Sequence, residues 1–292
     1  MRISDVVEIL LLAAVWGSSF LFLRIAAPII EPIWLIEIRV LLSGLVLLPI
    51  VIWLKLWGEV RSSLVPLFIA GCLNSAIPFV LIAFASIELP AGFNSILNAT
   101  SPLFGAVVAA VWLKERFTLS RTIGFICGFA GVLILIGWQP FAASFSIMAA
   151  IAASLLASLV YAIGAPYVKQ KLSNVSPLVI TTMSQLGAAV LLVPALPFTV
   201  PETVPSPKVV LAVLALALFS TPLSFVLYFR LIRNIGSTKA LTVTYLVPLF
   251  TLLWGKLALS EPVTPSMLVG GGLILLGTAI ANDLFRGLQA KA

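Results

Sequence analysis

The segment Glu115-Arg116-Phe117-Thr118 has a second copy, Glu261-Pro262-Val263-Thr264, 146 residues further along the chain. Prolines and glycines, the residues that punctuate helices, recur at nearly the same shift, which slips by a residue or two towards the start of each copy. The aligned pairs are Pro102 with Pro248, Gly124 with Gly270, Gly131 with Gly277, Pro32 with Pro177, Pro49 with Pro194 and Pro78 with Pro222. The sequence therefore indicates that one structural unit occurs twice.

The second copy lacks the cations of the first. Uncharged residues replace three of them at matched positions: Ser260 for Lys114, Pro262 for Arg116 and Met267 for Arg121. Cytoplasmic loops of membrane proteins carry an excess of Lys and Arg, so this difference predicts that the two halves cross a membrane in opposite directions. Inverted repeats of this kind are typical of transporters, with the binding site between them.

The composition also indicates a membrane protein. The chain is 61% hydrophobic and 9% charged, with a mean hydropathy of +1.20, whereas soluble domains carry about 25% charged residues. The net charge of +7 sets topology rather than attracting nucleic acid. The sequence has no histidine, which removes the commonest metal ligand and the usual general base. We therefore expect no metal and no cofactor.

Apolar runs of about 20 residues suit a membrane-crossing helix, and the sequence contains ten. The predicted fold is therefore an all-α integral membrane protein with ten transmembrane helices arranged as two inverted five-helix repeats, covering residues 1–140 and 147–286. The predicted spans are 6–25, 32–54, 64–86, 91–113, 120–138, 147–168, 177–198, 208–230, 237–259 and 265–284.

The distribution of cations predicts the orientation. With the N-terminus inside, 13 of the 17 Lys and Arg residues fall in cytoplasmic segments, against two, Arg24 and Lys208, in outer segments. Arg39 and Lys256 are embedded in predicted helices. This bias predicts a multi-pass protein with both termini in the cytoplasm, and the expected location is the bacterial inner membrane.

Motifs shared by the two halves resemble a known family. Each half ends in Glu-x-x-Thr-x5-Gly-x6-Gly, and each has Asn or Thr four residues before a proline, as Asn98 before Pro102 and Thr244 before Pro248. Each half also opens with an aromatic and small-residue segment followed by a cation. The chain thus resembles the EamA-type branch of the drug/metabolite transporter superfamily and is similar to the YddG-like amino-acid exporters. The resemblance implies two inverted five-helix repeats and export of small metabolites.

The chain departs from other branches of that superfamily. The four-helix multidrug members couple to protons through a Glu in the first helix, but here its middle, Ala13 to Ser18, has no carboxylate. Phosphate-sugar carriers use several embedded cations, for which only Arg39, Lys256 and Lys239 are candidates. The resemblance therefore does not extend to that proton mechanism, and a phosphate substrate is disfavoured.

Polar residues at mid-depth are the first candidates for a binding site, because lipid cannot satisfy their hydrogen bonds. They occur in helices related by the repeat, so they can converge on one axis; the alternative is that they only join neighbouring helices. Nearby prolines free backbone carbonyls one turn earlier, which could accept from an ammonium group. The candidate substrate-binding residues of this set are Asn74, Pro78, Asn94, Asn98, Gln185, Thr221 and Thr244.

Aromatic residues form a second candidate set. An aromatic wall favours amphipathic substrates and offers cation–π attraction to an amine. The alternatives are packing between helices and an interfacial belt. The aromatic candidates for substrate binding are Trp16, Phe20, Phe79, Tyr161, Phe225 and Tyr245.

Two charges lie within the second predicted helix. An embedded charge costs roughly 2.5–3.5 kcal/mol on insertion scales, so Glu37 and Arg39 should each have a partner or reach water. They are two positions apart and point to different faces, which disfavours a mutual ion pair. Arg39 is a candidate for binding a carboxylate or for locking the two halves, with snorkelling to headgroups as the alternative. Glu37 is the candidate coupling carboxylate.

Small-residue stripes occupy the fifth and tenth predicted helices, at Gly124, Gly128 and Gly131 and at Gly270 to Gly272 and Gly277. Such stripes permit close helix contact. We expect these helices to be peripheral struts, with a dimer surface as the alternative. The oligomeric state is not predicted, since a monomer suffices for a complete site.

An alternating-access exporter of small metabolites is the predicted function. Its expected partners are the lipid bilayer and a small-molecule substrate, with amino acids, including aromatic and hydrophobic ones, as the first candidates. A multidrug or organic-cation exporter is the alternative, followed by a channel or a lipid scramblase. An enzyme is not expected, because Asp5 and Asp283 lie at opposite termini, and Glu115 and Glu261 at opposite faces, so no acid/base pair forms.

Overall fold

The protein was analysed as a computed structural model, which describes residues 3–112, 114, 118–137, 144–236, 240 and 242–281. Within these residues it is all-helical, as predicted, and contains no strand. The ten helical segments are α1 (Ile3–Ile30), α2 (Pro32–Trp53), α3 (Leu64–Glu88), α4 (Ala91–Trp112), α5 (Leu119–Gly137), α6 (Phe145–Lys171), α7 (Pro177–Phe198), α8 (Pro207–Leu223, continued by Ser224–Ile235), α9 (Val243–Leu259) and α10 (Pro265–Ala281). A six-residue helix, Trp57–Ser62, precedes α3.

Length and apolar composition allow seven of the described segments, α1 to α7, to cross a membrane. The apolar helices Pro207–Leu223, α9 and α10 are shorter. The count of ten crossings therefore stays a prediction. Glu115, Arg116, Phe117, Lys239 and Asp283 lie outside the described residues.

Prolines set several helix boundaries. Pro32, Pro177 and Pro207 each stand in the first turn of a helix, where a missing N–H removes no intrahelical bond. The first helix is longer than the predicted span, since it continues through Pro28 to Ile30. Arg24 lies in its last two turns, and the chain turns at Glu31, just before Pro32.

Two helices contain a π-helical turn at matching places. The turn in α3 spans Cys72–Ala76, and the turn in α8 spans Phe219–Leu223. Pro78 follows the first turn closely and Pro222 lies within the second. A π-turn adds a residue to the helical turn and rotates the following side chains, and such turns are frequent at functional sites.

One apolar cluster fills the interior at the end of the bundle where α1 and α3 finish, which we call the closed end. Buried residues of seven helices meet there. They include Leu23 and Ala27 of α1, Leu35, Ile36 and Val40 of α2, Ile82 and Ala83 of α3, Ala157 of α6, Ala188 and Leu192 of α7, and Val213 and Leu216 of α8. This cluster, the closed-end core, leaves the interior filled at that end.

At the opposite end, which we call the open end, the core divides into two. One cluster joins α1, α8 and α9 through residues that include Ile9, Leu231 and Val243. The other joins α2, α3, α6 and α7 and includes Val51, Leu67 and Val179. We name these groups of helices the first and second flanks. A polar contact lies within each flank: Arg230 Nε lies 3.0 Å from Glu8 Oε1 in the first flank, and Glu59 Oε2 accepts from the Ser176 amide, at the start of α7, in the second.

Helices α5 and α10 touch backbone to backbone through their glycines. A Cβ added to Gly124 would lie 2.5 Å from the Gly277 oxygen, and one added to Gly131 would lie 2.6 Å from the Gly270 oxygen. The contacts are reciprocal, because Cβ atoms at Gly277 and Gly270 would meet the oxygens of Gly124 and Gly131. These glycines therefore serve a close contact inside the chain.

Candidate functional site

A central cavity of about 720 Å³ lies between the helices. Among the described segments, every one except α5 contributes lining residues. The lining reaches the first turns of α7 and α9, at Pro177 and Thr244, and the later turns of α6 and α10, at Val168 and Thr278. All four positions are at the open end, so the cavity extends from mid-depth towards that end, between the two flanks.

Twelve of the fourteen candidate binding residues line this cavity. They come from eight helical segments and from both halves of the chain, so distant parts of the sequence meet around one space. These residues are Trp16, Phe20, Arg39, Asn74, Phe79, Asn98, Tyr161, Gln185, Thr221, Phe225, Thr244 and Tyr245.

Asn94 and Pro78 are not among the residues that line the cavity. Asn94 is fully buried, and its amide donates to the Ile82 carbonyl at 3.0 Å and to Ser86 Oγ at 2.9 Å. Its oxygen accepts from Ser154 Oγ at 2.7 Å. Asn94 therefore joins α3, α4 and α6, which is the structural alternative for a polar residue in a membrane helix.

Glu37 is also absent from the cavity lining. It is buried, and its Oε2 has no hydrogen-bond partner among the described residues. A buried carboxyl with an unpaired oxygen in a membrane helix is costly when ionised. Its candidate role in coupling remains a prediction.

The two π-turns bring polar residues to the cavity wall. Asn74 and Ser75 come from the turn in α3, and Ser220 and Thr221 from the turn in α8. Gln185 Nε2 donates to Ser75 Oγ at 3.2 Å and so joins a helix of the second half to a helix of the first.

Several polar atoms of the lining residues have no partner in the described protein. They are Nδ2 of Asn98, Oε1 of Gln185 and Oγ of Ser220. Buried polar groups normally have hydrogen-bond partners. The wall therefore contains one donor, one acceptor and one hydroxyl that lack a partner among the described residues.

The polar lining residues outside the sequence candidates include Ser19, Thr181, Ser184, Ser224 and Thr278. Helical spacing could have identified three of them. Ser19 lies one turn after Trp16, and Thr181 and Ser184 share a face with Gln185. Ser224 follows the π-turn of α8, whose rotation of the helix face was not visible in the sequence. Thr278 lies on α10, which was expected to be only a strut.

Aromatic pairs form two parts of the wall. The rings of Trp16 and Tyr228 are 5.4 Å apart and inclined at 51°. Phe79 and Tyr161 meet edge to face with centroids 6.3 Å apart. Such pairs prefer offset or edge contacts, so these residues stabilise each other as well as lining an amphipathic cavity.

Arg39 is the charged residue of the lining. Its side chain is buried, so it does not snorkel to a headgroup. Nε donates to Thr221 Oγ1 at 3.2 Å, and Cζ lies 3.9 Å from the centroid of the Phe79 ring. A cation held over an aromatic face gains electrostatic attraction, which offsets part of the cost of burial. No Asp or Glu lines the cavity in the described part of the chain.

Arg24 and Glu261 form an ion pair at the closed end, where several helices end or begin. Arg24 of α1 donates to the Ser86 carbonyl at 2.9 Å and also to the Ile87 carbonyl, and its Nε is 3.7 Å from Glu261 Oε1. Glu261 Oε2 accepts from the Ala91 amide at 3.0 Å. Cations suit helix C-termini and carboxylates suit N-termini, so this contact stabilises the ends of α3 and α4. Burial nevertheless raises the pKa of the Glu261 carboxyl, although the Ala91 amide and Arg24 oppose the shift.

Apolar helices long enough to cross a bilayer, arranged around a solute-sized polar and aromatic cavity, define a multi-pass membrane protein that accommodates a small molecule. The chain belongs to the EamA-like transporter family, whose sequence model matches residues 6–137 and again 148–282. It is therefore a transporter of the EamA type, and its relatives are transporters rather than enzymes.

Relatives of this chain extend over most of its length. It is 24% identical over 267 residues to an uncharacterized transporter of Archaeoglobus fulgidus, covering 91% of this chain and 94% of the relative. It is 26% identical over 217 residues to a probable terminal-alkyne amino-acid exporter of Streptantibioticus cattleyicolor, covering 73% and 71%. A protein of known crystal structure shares the fold, with a TM-score of 0.65, 18% identity and 99% coverage of both chains.

Proposed function

We propose that this protein is an alternating-access exporter of small metabolites, with amino acids as its cargo. The two halves form inverted five-helix repeats in the inner membrane. Both termini are cytoplasmic, and the open end faces the cytoplasm. Cargo enters the central cavity from the cytoplasm and leaves when the closed end opens.

The reciprocal glycine contacts support the inverted repeat. In the sequence alignment Gly124 matches Gly270 and Gly131 matches Gly277. In space Gly124 meets Gly277 and Gly131 meets Gly270. This exchange is the pattern of two units related by a two-fold axis, in which residue i contacts j and j contacts i. The paired π-turns and the two matches to the family model agree with the same relation.

One observation carries the functional proposal: the central cavity extends to one end of the bundle, and the other end is filled. The closed-end core and the Arg24–Glu261 pair close one side, while the core divides into two flanks on the other. A cavity at mid-depth that reaches one side is what alternating access requires of each of its end states. A channel would need a continuous path.

Amino-acid cargo is supported by the size and chemistry of the cavity. A volume of about 720 Å³ accommodates an amino acid with a large side chain and leaves room for water. Polar atoms of Asn98 and Gln185 stand beside the aromatic walls, and one relative is named as a probable amino-acid exporter. The aromatic lining also favours an organic cation, which is therefore the second candidate.

Transport of a radiolabelled amino-acid panel by purified protein in proteoliposomes tests the proposal. We expect saturable uptake, and acceleration by unlabelled amino acid on the opposite side, because a carrier exchanges cargo. Repeating the assay with an imposed pH gradient, on the wild type and on Glu37→Gln, tests proton coupling by Glu37. The amino-acid assignment is wrong if no amino acid is carried or competes, and uptake without counterflow would favour a channel.

Asn98 and Asn94 form a matched pair for testing the cavity. Asn98→Ala removes an unpartnered donor of the cavity and should raise the KM of the carried amino acid about tenfold, since one polar contact is worth roughly 1.4 kcal/mol. Asn94→Ala removes a buried three-bond junction and should lower the thermal unfolding midpoint with less effect on KM. Equal KM values in Asn98→Ala and wild type would remove Asn98 from the binding site.

A further inference from the structure

We infer that Arg39 recognises a carboxylate of the cargo, so that the transported class consists of carboxylate-bearing solutes, zwitterions among them, and excludes organic cations without a carboxylate. This inference rests on the proposed transport function and deepens it, because it chooses between the two candidate cargo classes. It depends on the position and the surroundings of one guanidinium group.

The charge balance of the cavity favours an anionic group. Arg39 is 6% exposed, and among the described lining residues it has no carboxylate to neutralise it. A buried charge is costly unless it is paired. A cargo carboxylate would supply the missing countercharge inside the cavity, whereas a solute with only an ammonium group would add a second positive charge to it.

The neighbours of Arg39 fix how the guanidinium can bind. Phe79 covers one face of the group, and Thr221 occupies its Nε–H. The two terminal nitrogens have no hydrogen-bond partner among the described residues. Donors at the edge of a planar fork match the two oxygens of a carboxylate. The structure therefore holds Arg39 with its anion-binding edge unoccupied and with its orientation already set.

The same cavity offers acceptors for the amino group of a zwitterion. Oε1 of Gln185 and Oγ of Ser220 are buried without a partner among the described residues. These acceptors are neutral, so they can orient an ammonium group but do not replace a carboxylate partner. The amino group is therefore an aid to binding, and the carboxylate is the requirement.

Arg39 also connects the binding site to both halves of the chain. It belongs to α2, and Thr221 belongs to the π-turn of α8. Both helices contribute to the closed-end core. A carboxylate bound at the terminal nitrogens would leave the Arg39–Thr221 bond in place, so the occupied site would still link α2 to α8.

Three probes with one phenyl group separate the two charged groups of the cargo: L-phenylalanine, 3-phenylpropionate, which lacks the amine, and phenethylamine, which lacks the carboxylate. Thermal stabilisation of the detergent-purified protein and competition in proteoliposome transport are measured for each probe. We expect L-phenylalanine and 3-phenylpropionate to bind, and phenethylamine to bind at least tenfold more weakly than L-phenylalanine. This arm uses the wild-type protein and does not depend on the folding of any variant.

Variants of Arg39 test the residue itself. Arg39→Gln should weaken binding of L-phenylalanine at least tenfold while leaving phenethylamine unchanged or improved, and Arg39→Lys should recover part of the loss, because it keeps the charge without the fork. Thr221→Val should weaken binding less, since it removes only the support of Nε. Lys256→Gln, which removes an exposed cation of α9, is the control for a general loss of charge.

The outcomes separate this inference from the proposed function. If phenethylamine is bound or carried as well as L-phenylalanine, or if Arg39→Gln and the wild type bind L-phenylalanine equally, the inference is overturned while the transport function stands. If neither carboxylate probe stabilises the protein at all, the inference also fails. Absence of transport with carboxylate-dependent stabilisation would instead count against the transport proposal and retain the site.

Discussion

Gly277→Ala should destabilise the protein, although alanine is the better helix former by about 1 kcal/mol. The added Cβ would lie 2.5 Å from the Gly124 oxygen and 2.5 Å from the Gly128 nitrogen. These are backbone atoms, so no side chain can rotate away and α5 must move from α10. Overpacking of this kind costs typically 1–3 kcal/mol, and occasionally more. We therefore expect a lower thermal unfolding midpoint of purified protein and a smaller monodisperse fraction in detergent.

Gly272→Ala is the matched control. It lies on the same helix five positions earlier, and a Cβ there would meet no atom within 4 Å, so its unfolding midpoint should equal or exceed that of the wild type. Gly124→Ala should repeat the effect of Gly277→Ala, because the contact is reciprocal. If Gly277→Ala and Gly124→Ala have the same thermal unfolding midpoint as Gly272→Ala, α5 and α10 do not pack as closely as described.

The closeness of α5 and α10 shows what a sequence pattern can and cannot specify. The glycine stripes predicted close helix contact, but they left open whether the partner was another chain. The pairing of Gly124 with Gly277 inside one chain depends on how both halves fold together. A stripe of small residues indicates how closely another helix can pack, but it does not identify that helix.

Most candidates for the cavity could be predicted because the repeat doubled each signal. Asn98 and Thr244 precede matched prolines, and both line the cavity. Asn94 shared a helical stripe with Asn98, but its side chain is hydrogen-bonded to Ser86 and Ser154. Ser95, the next residue along α4, lines the cavity at nearly the same depth. Asn94 therefore lies to one side of the face that lines the cavity, and periodicity alone did not define that face closely enough.

Tertiary contacts decided what periodicity could not. Arg24 was assigned to an outer segment, and its ion pair with Glu261 joins residues from opposite ends of the sequence. Ser224 lines the cavity directly after a π-turn, which shifts the helical register by one residue. The ion pair depends on helices meeting in three dimensions, and no pattern in the sequence indicated the π-turn.

Glu261→Gln should shift the protein towards a state in which the closed end is open. If the two repeats exchanged conformations, the division between the flanks would move from the open end to the closed end. At the open end it separates α1, α8 and α9 from α2, α3, α6 and α7. Opening there would separate α3, α4 and α6 from α1, α2, α7 and α8. Arg24 fastens α1 to the last turn of α3, and Glu261 fastens Arg24 to the start of α4. The contact therefore spans the line along which the proposed opening occurs.

Spin-label distances at both ends measure this shift. Val7 and Val65 are exposed residues of the two flanks at the open end, and Ala152 and Val210 are their repeat counterparts at the closed end. In Glu261→Gln the distance between Ala152 and Val210 should lengthen and the distance between Val7 and Val65 should shorten. Hydrogen bonds to a charged group contribute about 1.5–3 kcal/mol, so the population ratio should change roughly ten- to hundredfold.

Controls distinguish a conformational shift from local damage. Arg24→Gln should act in the same direction, and Glu202→Gln, at an exposed position between α7 and α8, should leave both distances unchanged. Because burial raises the pKa of Glu261, acidification protonates it at a higher pH than an exposed Glu, which weakens its pairing with Arg24. Lowering the pH should therefore move the wild type in the same direction, and Glu261→Gln should lose that response. Lengthening at the closed end without shortening at the open end would mean local fraying and would contradict a gate that couples the two ends.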